Sequence, residues 1–478
     1  MLRFLGMIVS TLLAPQAGDS SVVATVGRYA ITESDLRDSF EAGPAFVRRT
    51  ENPLQKHLEF MVNERLLAIA ADSLGYGESE FVKQRVSALE EDLAVDELYK
   101  ADILAKVRLA EKTIAENVEK ARTNIRFRWI YCPTKTMADN IRSSIEKGAA
   151  FDSLFQRQLQ GTTTRSGRSM ESTFLKLEKD NPDFAAQLKK LRKMEVSKPV
   201  EGKDGYYVIH IDEIWKNPVS TETEQAQLRD EAIKVGTFIQ ADALAGNYVK
   251  SRMRQSNPVL KAEGFNILRA YVAEKGLTRD TRVKWSIPST FMTEAGPQPI
   301  ASSPKFLNRP LVTFGKKVLT VRDYAEWFDI RQFQLKTSSL EAFNASIKQT
   351  VWKMVQDRLL SEEARRRGLQ NLEVVRHEKS KWESKMLYLA GRSHVLRASV
   401  KEQPKAALSD GDEGVVLFRT LQTLRTRYPA VINYEILDRM ATSVNREPAA
   451  IDVIFYKPGG TFPRVAFPTI DEAWSRMQ

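Results

Sequence analysis

One stretch of this chain occurs twice. VATVGRYAITESDL (Val23 to Leu36) is answered by VTFGKKVLTVRDY (Val312 to Tyr324). The match pairs Thr25 with Thr313, Gly27 with Gly315, Thr32 with Thr320 and Asp35 with Asp323, an offset of 313 − 25 = 288. Further on, MVNERLLAIAADSLG (Met61 to Gly75) pairs with MVQDRLLSEEARRRG (Met354 to Gly368), keeping Met, Val, Arg, Leu, Leu and Gly in register at an offset of 354 − 61 = 293. Two matching blocks in the same order mark a duplicated module, with 293 − 288 = 5 more residues between the blocks of the second copy. Copies so far apart are no solenoid; they bracket something.

A length of 478 residues suggests roughly three domains, and 42% apolar with 28% charged residues is ordinary for a globular chain. The N-terminus carries Arg3, an apolar run from Phe4 to Leu13, and small residues near Ala17. That run is far short of the ~20 residues needed to span a bilayer and fits the core of a secretory signal, so the mature chain is expected to begin between Ala17 and Val22. The one cysteine, Cys132, can form no internal disulfide and reads as a buried apolar residue. The histidines (His57, His210, His377, His394) are scattered without metal-site spacing, so no metal is expected. No GxxxxGK[ST] loop occurs, and no cofactor or nucleotide is expected. The net charge of +11 is spread over helices with opposite charges interleaved, as in QLKKLRKMEV, which argues against nucleic acid. It is compatible with peripheral contact with an anionic membrane or with acidic clients.

Local patterns give the order of elements. Thr32 and Asp35 read as a capping box opening a helix, with Asp in place of the usual Glu. Leu58, Met61, Val62, Leu66 and Ile69 form one face of the next helix, which Gly75 is placed to end. Charged helical patterns follow from Glu78 to about Leu109 and from Glu111 to about Ala121. NIRFRWIYCP alternates as a strand. Helices are expected over Met137 to Lys147, Phe151 to Leu159 and Phe184 to Leu191. GTTTRSGRSMEST reads as a polar loop, and VSKPVEGKDGYYVIHIDEI as two strands about a Gly turn.

This middle order resembles the parvulin (PpiC-like) type of peptidyl-prolyl isomerase. RFRWIYCP stands where the family has a strand of the form RHIL. GAAFDSLFQRQ matches its helix start, and EVSKPVEGKDGYYVIHIDEI its closing strands, with Ser197, Pro199, Val200 and Gly205 in place. The flanking duplicate resembles the N-terminal chaperone region of SurA and PpiD proteins, in which a later helix returns to that module. The resemblance implies an α+β, mostly helical fold, with duplicated SurA-N-like helical modules flanking a small parvulin-like α/β domain. The implied division is a signal peptide (1–21), a helical module (22–122), the parvulin-like domain (123–216), a helical return segment (217–285), a linker (286–310), a second helical module (311–401) and an unassigned C-terminal segment (402–478).

Departures from the family matter most for chemistry. Trp129 stands at its first histidine position (RHIL becomes RWIY) and Tyr207 at its second (GYHII becomes GYYVI). TRSGRSME replaces the GGDLG loop. Of the Met-x-x-x-Phe proline seat only Phe184 survives, with Asp180 at the methionine position. No catalytic residue is therefore assigned. Trp129, Tyr131, Phe184 and Tyr207 are the candidate peptide-binding residues, and they read either as a sticky groove or as rings filling the volume a polar cluster vacated. The implied function is an exported, ATP-independent chaperone or foldase of the periplasm or cell envelope, whose clients are unfolded envelope or outer-membrane proteins. The alternative is an active prolyl isomerase improvising with Trp129, Tyr207 and His210. A second alternative is a structural subunit of an envelope or secretion complex.

Overall fold

In the computed structural model, residues 21–41, 51–160, 169–202, 205–219, 221–293, 296–299, 304–331, 333–402 and 410–443 are described. The proposed signal and the segment after Ser443 lie outside them. The first copy contributes β1 (Val22–Val26), β2 (Tyr29–Thr32), α1 (Glu33–Glu41), α2 (Pro53–Ser73) and α3 (Glu80–Asp102). Then come α4 (Glu111–Arg122), β3 (Thr123–Cys132), α5 (Lys135–Glu146), α6 (Phe151–Gln160), β4 (Ser169–Thr173), α7 (Phe174–Asp180), α8 (Pro182–Leu188), β5 (Val200–Glu201), β6 (Tyr206–Lys216) and α9 (Glu222–Ser256). They are followed by β7 (Val259–Leu260), α10 (Ala262–Gly276), α11 (Arg279–Lys284), β8 (Thr290–Thr293), β9 (Gly296–Pro299) and α12 (Pro304–Leu307). The second copy supplies β10 (Pro310–Phe314), β11 (Lys317–Thr320), α13 (Val321–Arg331), α14 (Leu340–Arg366) and α15 (Glu373–Glu402), and the described chain ends with α16 (Asp410–Arg427), β12 (Ala430–Ile432) and α17 (Tyr434–Ser443). The fold is α+β and mostly helical, with small antiparallel sheets.

The duplication is carried into detail. Both hairpins turn at a glycine with positive φ, Gly27 at 55° and Gly315 at 57°, a conformation that disfavours any side chain. Both break register at the same place, between Val22 and Ala24 and between Pro310 and Val312. Both then enter a helix through the capping box read from sequence. Asp35 N–H donates to Thr32 Oγ1 at 3.2 Å while Thr32 N–H donates to Asp35 Oδ2 at 3.2 Å, and Thr320 with Asp323 repeats this at 3.2 and 2.7 Å.

Two compact units emerge. One is Ile103–Leu244; the other joins the described residues up to Asp102 with those from Ala245 onward, and so holds both copies. Inside this second unit the copies exchange their ends. The strand that follows α9 pairs not with the first hairpin but with the second, in the order β11-β10-β7, whereas β12 pairs with the first, in the order β12-β1-β2. The helix return implied by the family resemblance is thus crossed, and the late segment RTRYPAVINYEIL completes the first copy rather than wrapping the second. The core of the first copy (Val23, Ile31, Leu36, Leu58, Leu66) is closed by Leu417, Leu421, Leu437 and Met440. That of the second (Leu311, Val321, Tyr324, Ile347, Val351) is closed by Ile267, Leu268 and Tyr271 of α10. Residues 286–310, read from sequence as a linker, carry the β8–β9 hairpin and α12, and bury Ile287 and Phe306 in that second core.

The long helices cross as well: α15 lies on α2 and α3, and α3 on α14. Equivalent residues meet in both crossings. Arg65 bonds Ser384, and Arg358 bonds Glu91, where 358 − 65 and 384 − 91 both equal 293. Glu64 pairs with Lys385; the equivalents, Asp357 and Asp92, are both acidic and are bridged by Arg331, with Lys353 on Asp357 at 3.1 Å and the Trp327 Nε1–H donating to Asp357 at 3.0 Å. Burial pushes the Asp92 carboxyl up to about 6 in spite of its two Arg331 bonds. With a folded value above the ordinary 3.8, Asp92 taken alone makes the fold less stable as pH rises through that window. Replacing Arg331 by Met leaves two buried carboxylates without their guanidinium and is expected to lower unfolding free energy by about 3–5 kcal/mol at neutral pH. Urea denaturation should show that loss shrinking as pH falls through about 6, where Asp92 takes up its proton, and Asp92→Asn added to Arg331→Met should recover part of it.

Candidate functional site

The unit Ile103–Leu244 is built on a four-stranded antiparallel sheet in the order β4-β3-β6-β5. The alternation that identifies NIRFRWIYC as a strand also sorts its side chains between two faces. Trp129 is opposite Ile209 and Tyr131 opposite Tyr207, so both family histidine positions share a face with Phe127 and Ile211. That face is covered by α7 and α8 through Leu177, Ala185 and Leu188. Arg128, Ile130, Val208 and His210 point the other way, and Phe151, Phe155 and Leu159 of α6 cover Ile130, Cys132 and Val208 there.

The four candidate binding residues are brought together by ring packing. Tyr131 and Tyr207 lie with centroids 5.7 Å apart, while Phe127 lies 5.8 Å from Trp129 and 5.7 Å from Phe184. They are not equivalent in access. Trp129 is 8% exposed and packs in the core cluster of the sheet. Tyr131, Phe184 and Tyr207 are half-buried and form the accessible rim. Gly202 and Gly205 approach that rim closely because they have no side chains: a Cβ on Gly202 would lie 2.4 Å from the Tyr207 ring, and one on Gly205 2.7 Å from the Tyr131 ring. Gln158 fixes the edge by accepting from Tyr131 N–H at 3.0 Å and donating to its carbonyl at 2.6 Å.

Around the proline-seat positions the structure corrects one sequence reading, that of GTTTRSGRSMEST as a loop throughout. Asp180, at the expected methionine position, is exposed at the end of α7. A methionine nevertheless reaches the face from β4: Met170 pairs opposite Phe127 and packs on the same cluster as Phe184. The sequence GTTTRSGRSMEST reads as a loop, yet Ser169–Thr173 forms an edge strand, tied down where Glu171 accepts from Arg126 at 3.0 and 3.1 Å. Residues 161–168 of that stretch lie outside the described residues. The alternation in SMEST was the available signal, too short to outweigh its polarity.

His210 cannot serve the aromatic face, because it sits on the opposite one. Its Nδ1 lies 2.8 Å from Asp212 Oδ1 and its ring stacks on Phe151 at 5.0 Å. Arg128 holds Asp212 in a fork at 2.7 to 2.9 Å and reaches Asp152 at 2.6 Å. Burial works to raise the Asp212 carboxyl, but the Arg128 and His210 bonds outweigh it and keep it below the usual carboxylate range. This network binds α6 to the sheet. On the aromatic face Tyr131 and Tyr207 present phenols, which offer hydrogen bonds and ring surface.

No family model matches the sequence, and no curated protein matches it. Solved structures that align with it include PrsA proteins, described as a peptidylprolyl isomerase and as a foldase. PrsA from Bacillus subtilis aligns at 20% identity over 47% of this chain and 91% of its own, with a TM-score of 0.18. That from Bacillus anthracis aligns at 14% identity over 45% and 96%, with a TM-score of 0.22. The foldase protein from Lactococcus lactis aligns at 14% identity over 54% and 100%, with a TM-score of 0.21. Alignments of this quality assign no function.

Core and rim are separable by mutation. Trp129→Ala should cost about 3–5 kcal/mol of unfolding free energy in urea, and Tyr131→Ala or Tyr207→Ala about 1–2 kcal/mol. In a fluorescence titration with a proline- and aromatic-rich peptide, the tyrosine variants should lose affinity while their folds persist.

Proposed function

We propose that this chain is an exported, ATP-independent chaperone that holds unfolded envelope or outer-membrane proteins, and that its parvulin-like unit binds peptide with little or no catalysis. The observation that carries the second half is the shared face of Trp129 and Tyr207: rings occupy both positions where histidine is expected, and His210 is bound to Asp212 on the far side of the sheet. Isomerising an X-Pro bond requires stabilising a twisted amide against a barrier of about 18–20 kcal/mol. A seat of aromatic rings and phenols can hold a proline ring, but it lacks the paired imidazoles of the family's polar cluster. The holding function is supported by large apolar side chains left exposed, among them Leu74, Phe81, Val318, Phe418 and Val431, which can meet scattered apolar residues of a client without demanding a sequence. Among the described residues no helix is long and apolar enough to cross a membrane.

Losing even about 3–4 kcal/mol of transition-state stabilisation slows a reaction on the order of 100- to 1000-fold. NMR exchange on a proline tetrapeptide is therefore expected to show little acceleration by the unmodified chain, while the same preparation delays aggregation of an unrelated unfolded protein. Rapid exchange would favour the active isomerase, and absence of holding, with one partner co-purifying in fixed ratio, would favour the structural subunit. Trp129→His with Tyr207→His is the variant in which catalysis should rise if the scaffold has kept its geometry.

A further inference from the structure

The same edge is filled in both copies, by different sequences and unequally. Leu260 lies opposite Val312 as Ile432 lies opposite Ala24, and 312 − 24 is the repeat offset of 288. The next amide closes each strand alike: Lys261 N–H donates to Leu311 O at 2.8 Å and Asn433 N–H to Val23 O at 2.8 Å. Each filling strand turns one apolar side chain to the hairpin's core, half-buried Leu260 or Ile432. Each turns its neighbour outward, Val259 at 47% and Val431 at 68% exposure. Backbone pairing with alternate side chains is how a strand-adding site takes extended peptide without requiring a sequence.

The helices that follow are seated differently. Over residues 262–271, equivalent to the ten described residues of α17, α10 buries five, and it runs so close to β10 that a Cβ on Gly264 would lie 2.1 Å from the Pro310 carbonyl oxygen. In α17 the equivalent residue is Ile436, at the offset 432 − 260 = 172, and the helix buries two residues, Leu437 and Met440. A cavity of about 80 Å³ opens beneath it, lined by Phe40, Pro53, Leu54 and Leu437. Exposed Arg439 ties α17 to Glu33 at 2.8 Å, and Arg425 ties α16 to Asn63 at 2.8 Å. α16 is itself seated, with Leu417 and Leu421 in the first core, while Val415, Phe418 and Tyr434 of the same segment are exposed.

From this asymmetry we infer that β12–α17, carried on the seated α16, is a releasable occupant of a peptide-binding site: when it lifts, the edge of β1 and the groove along α1 and α2 take one extended apolar segment of an unfolded polypeptide. The inference rests on the chaperone reading above and gives it a location. The incoming segment adds as an antiparallel strand to β1 and places an apolar side chain where Ile432 sits. The β7–α10 unit, locked by its close approach at Gly264, stays in place.

The test uses the full chain carrying Val26→Cys and Ala430→Cys, whose Cα positions face each other across the β1–β12 pairing. Cys132 is buried and serves as an internal control. Binding of fluorescein-labelled, reduced and carboxymethylated lactalbumin is measured for the oxidised and the reduced protein. The disulfide should weaken binding by about tenfold or more, and reduction should restore it to the level of the unmodified chain. Two measurements do not depend on that disulfide. Arg439→Ala should tighten binding, and in the unmodified chain the Asn433 amide should lose hydrogen-exchange protection when client is added. Equal binding by the oxidised and reduced forms, or an Asn433 amide unchanged by client, removes this site and leaves the chaperone reading standing. No binding by any form, the unmodified chain included, overturns both.

Discussion

Two backbone hydrogen bonds, Lys261 to Leu311 and Asn433 to Val23, mark the joints on which the larger unit depends. A two-stranded hairpin is marginal alone and needs a third strand or a packed helix to persist. Here each hairpin receives both, and receives them from the other copy. Neither copy can close its core by itself, since Leu437 and Met440 belong to the end of the second and complete the first, while Ile267 and Leu268 follow the first and complete the second. The exchange also shows where the copies differ in length. From the long helices to the exchanged strands the offset falls from 293 to 172, so the first copy carries 293 − 172 = 121 more residues in that interval. The interval contains the sheet with the aromatic face.

Where the repeat is broken, chemistry changes. The Glu64 and Lys385 pair needs no third party, whereas its counterpart sets Asp92 near Asp357 and requires Arg331 and Lys353 to hold them. Buried ions of this kind contribute little net stability, because desolvation opposes their attraction, but losing one partner is costly. The second crossing is consequently the more sensitive of the two to substitution.

Much of this architecture was legible in the sequence and some was not. Capping boxes at Thr32 and Thr320 and turns at Gly27 and Gly315 are local, so residue type and spacing sufficed. That Trp129 and Tyr207 share a sheet face depends on the register between β3 and β6, which alternation within either strand does not give. The exchange was hidden because β7 and β12 are two and three residues long, too short to show a period, and because Val259 with Val431 and Glu263 with Glu435 are too few matches to reveal a second repeated block. Exposure was equally hidden. Nothing in RWIY says that Trp129 is core while Tyr131 is rim; that depends on α7 and α8, which arrive from outside the strand. Met170 was masked by the polarity of its neighbours, although it supplies the thioether that Asp180 does not.

Hydrogen exchange on a chain ending at Glu402 tests the reciprocal exchange most directly. If β12 and α17 complete the first copy, removing them strips protection from Val23 to Val26 and from α2, far away in sequence, and leaves the nearer hairpin at Leu311 to Leu319 protected by β7 and α10. Loss confined to the second hairpin, with β1 and α2 unchanged, would contradict it.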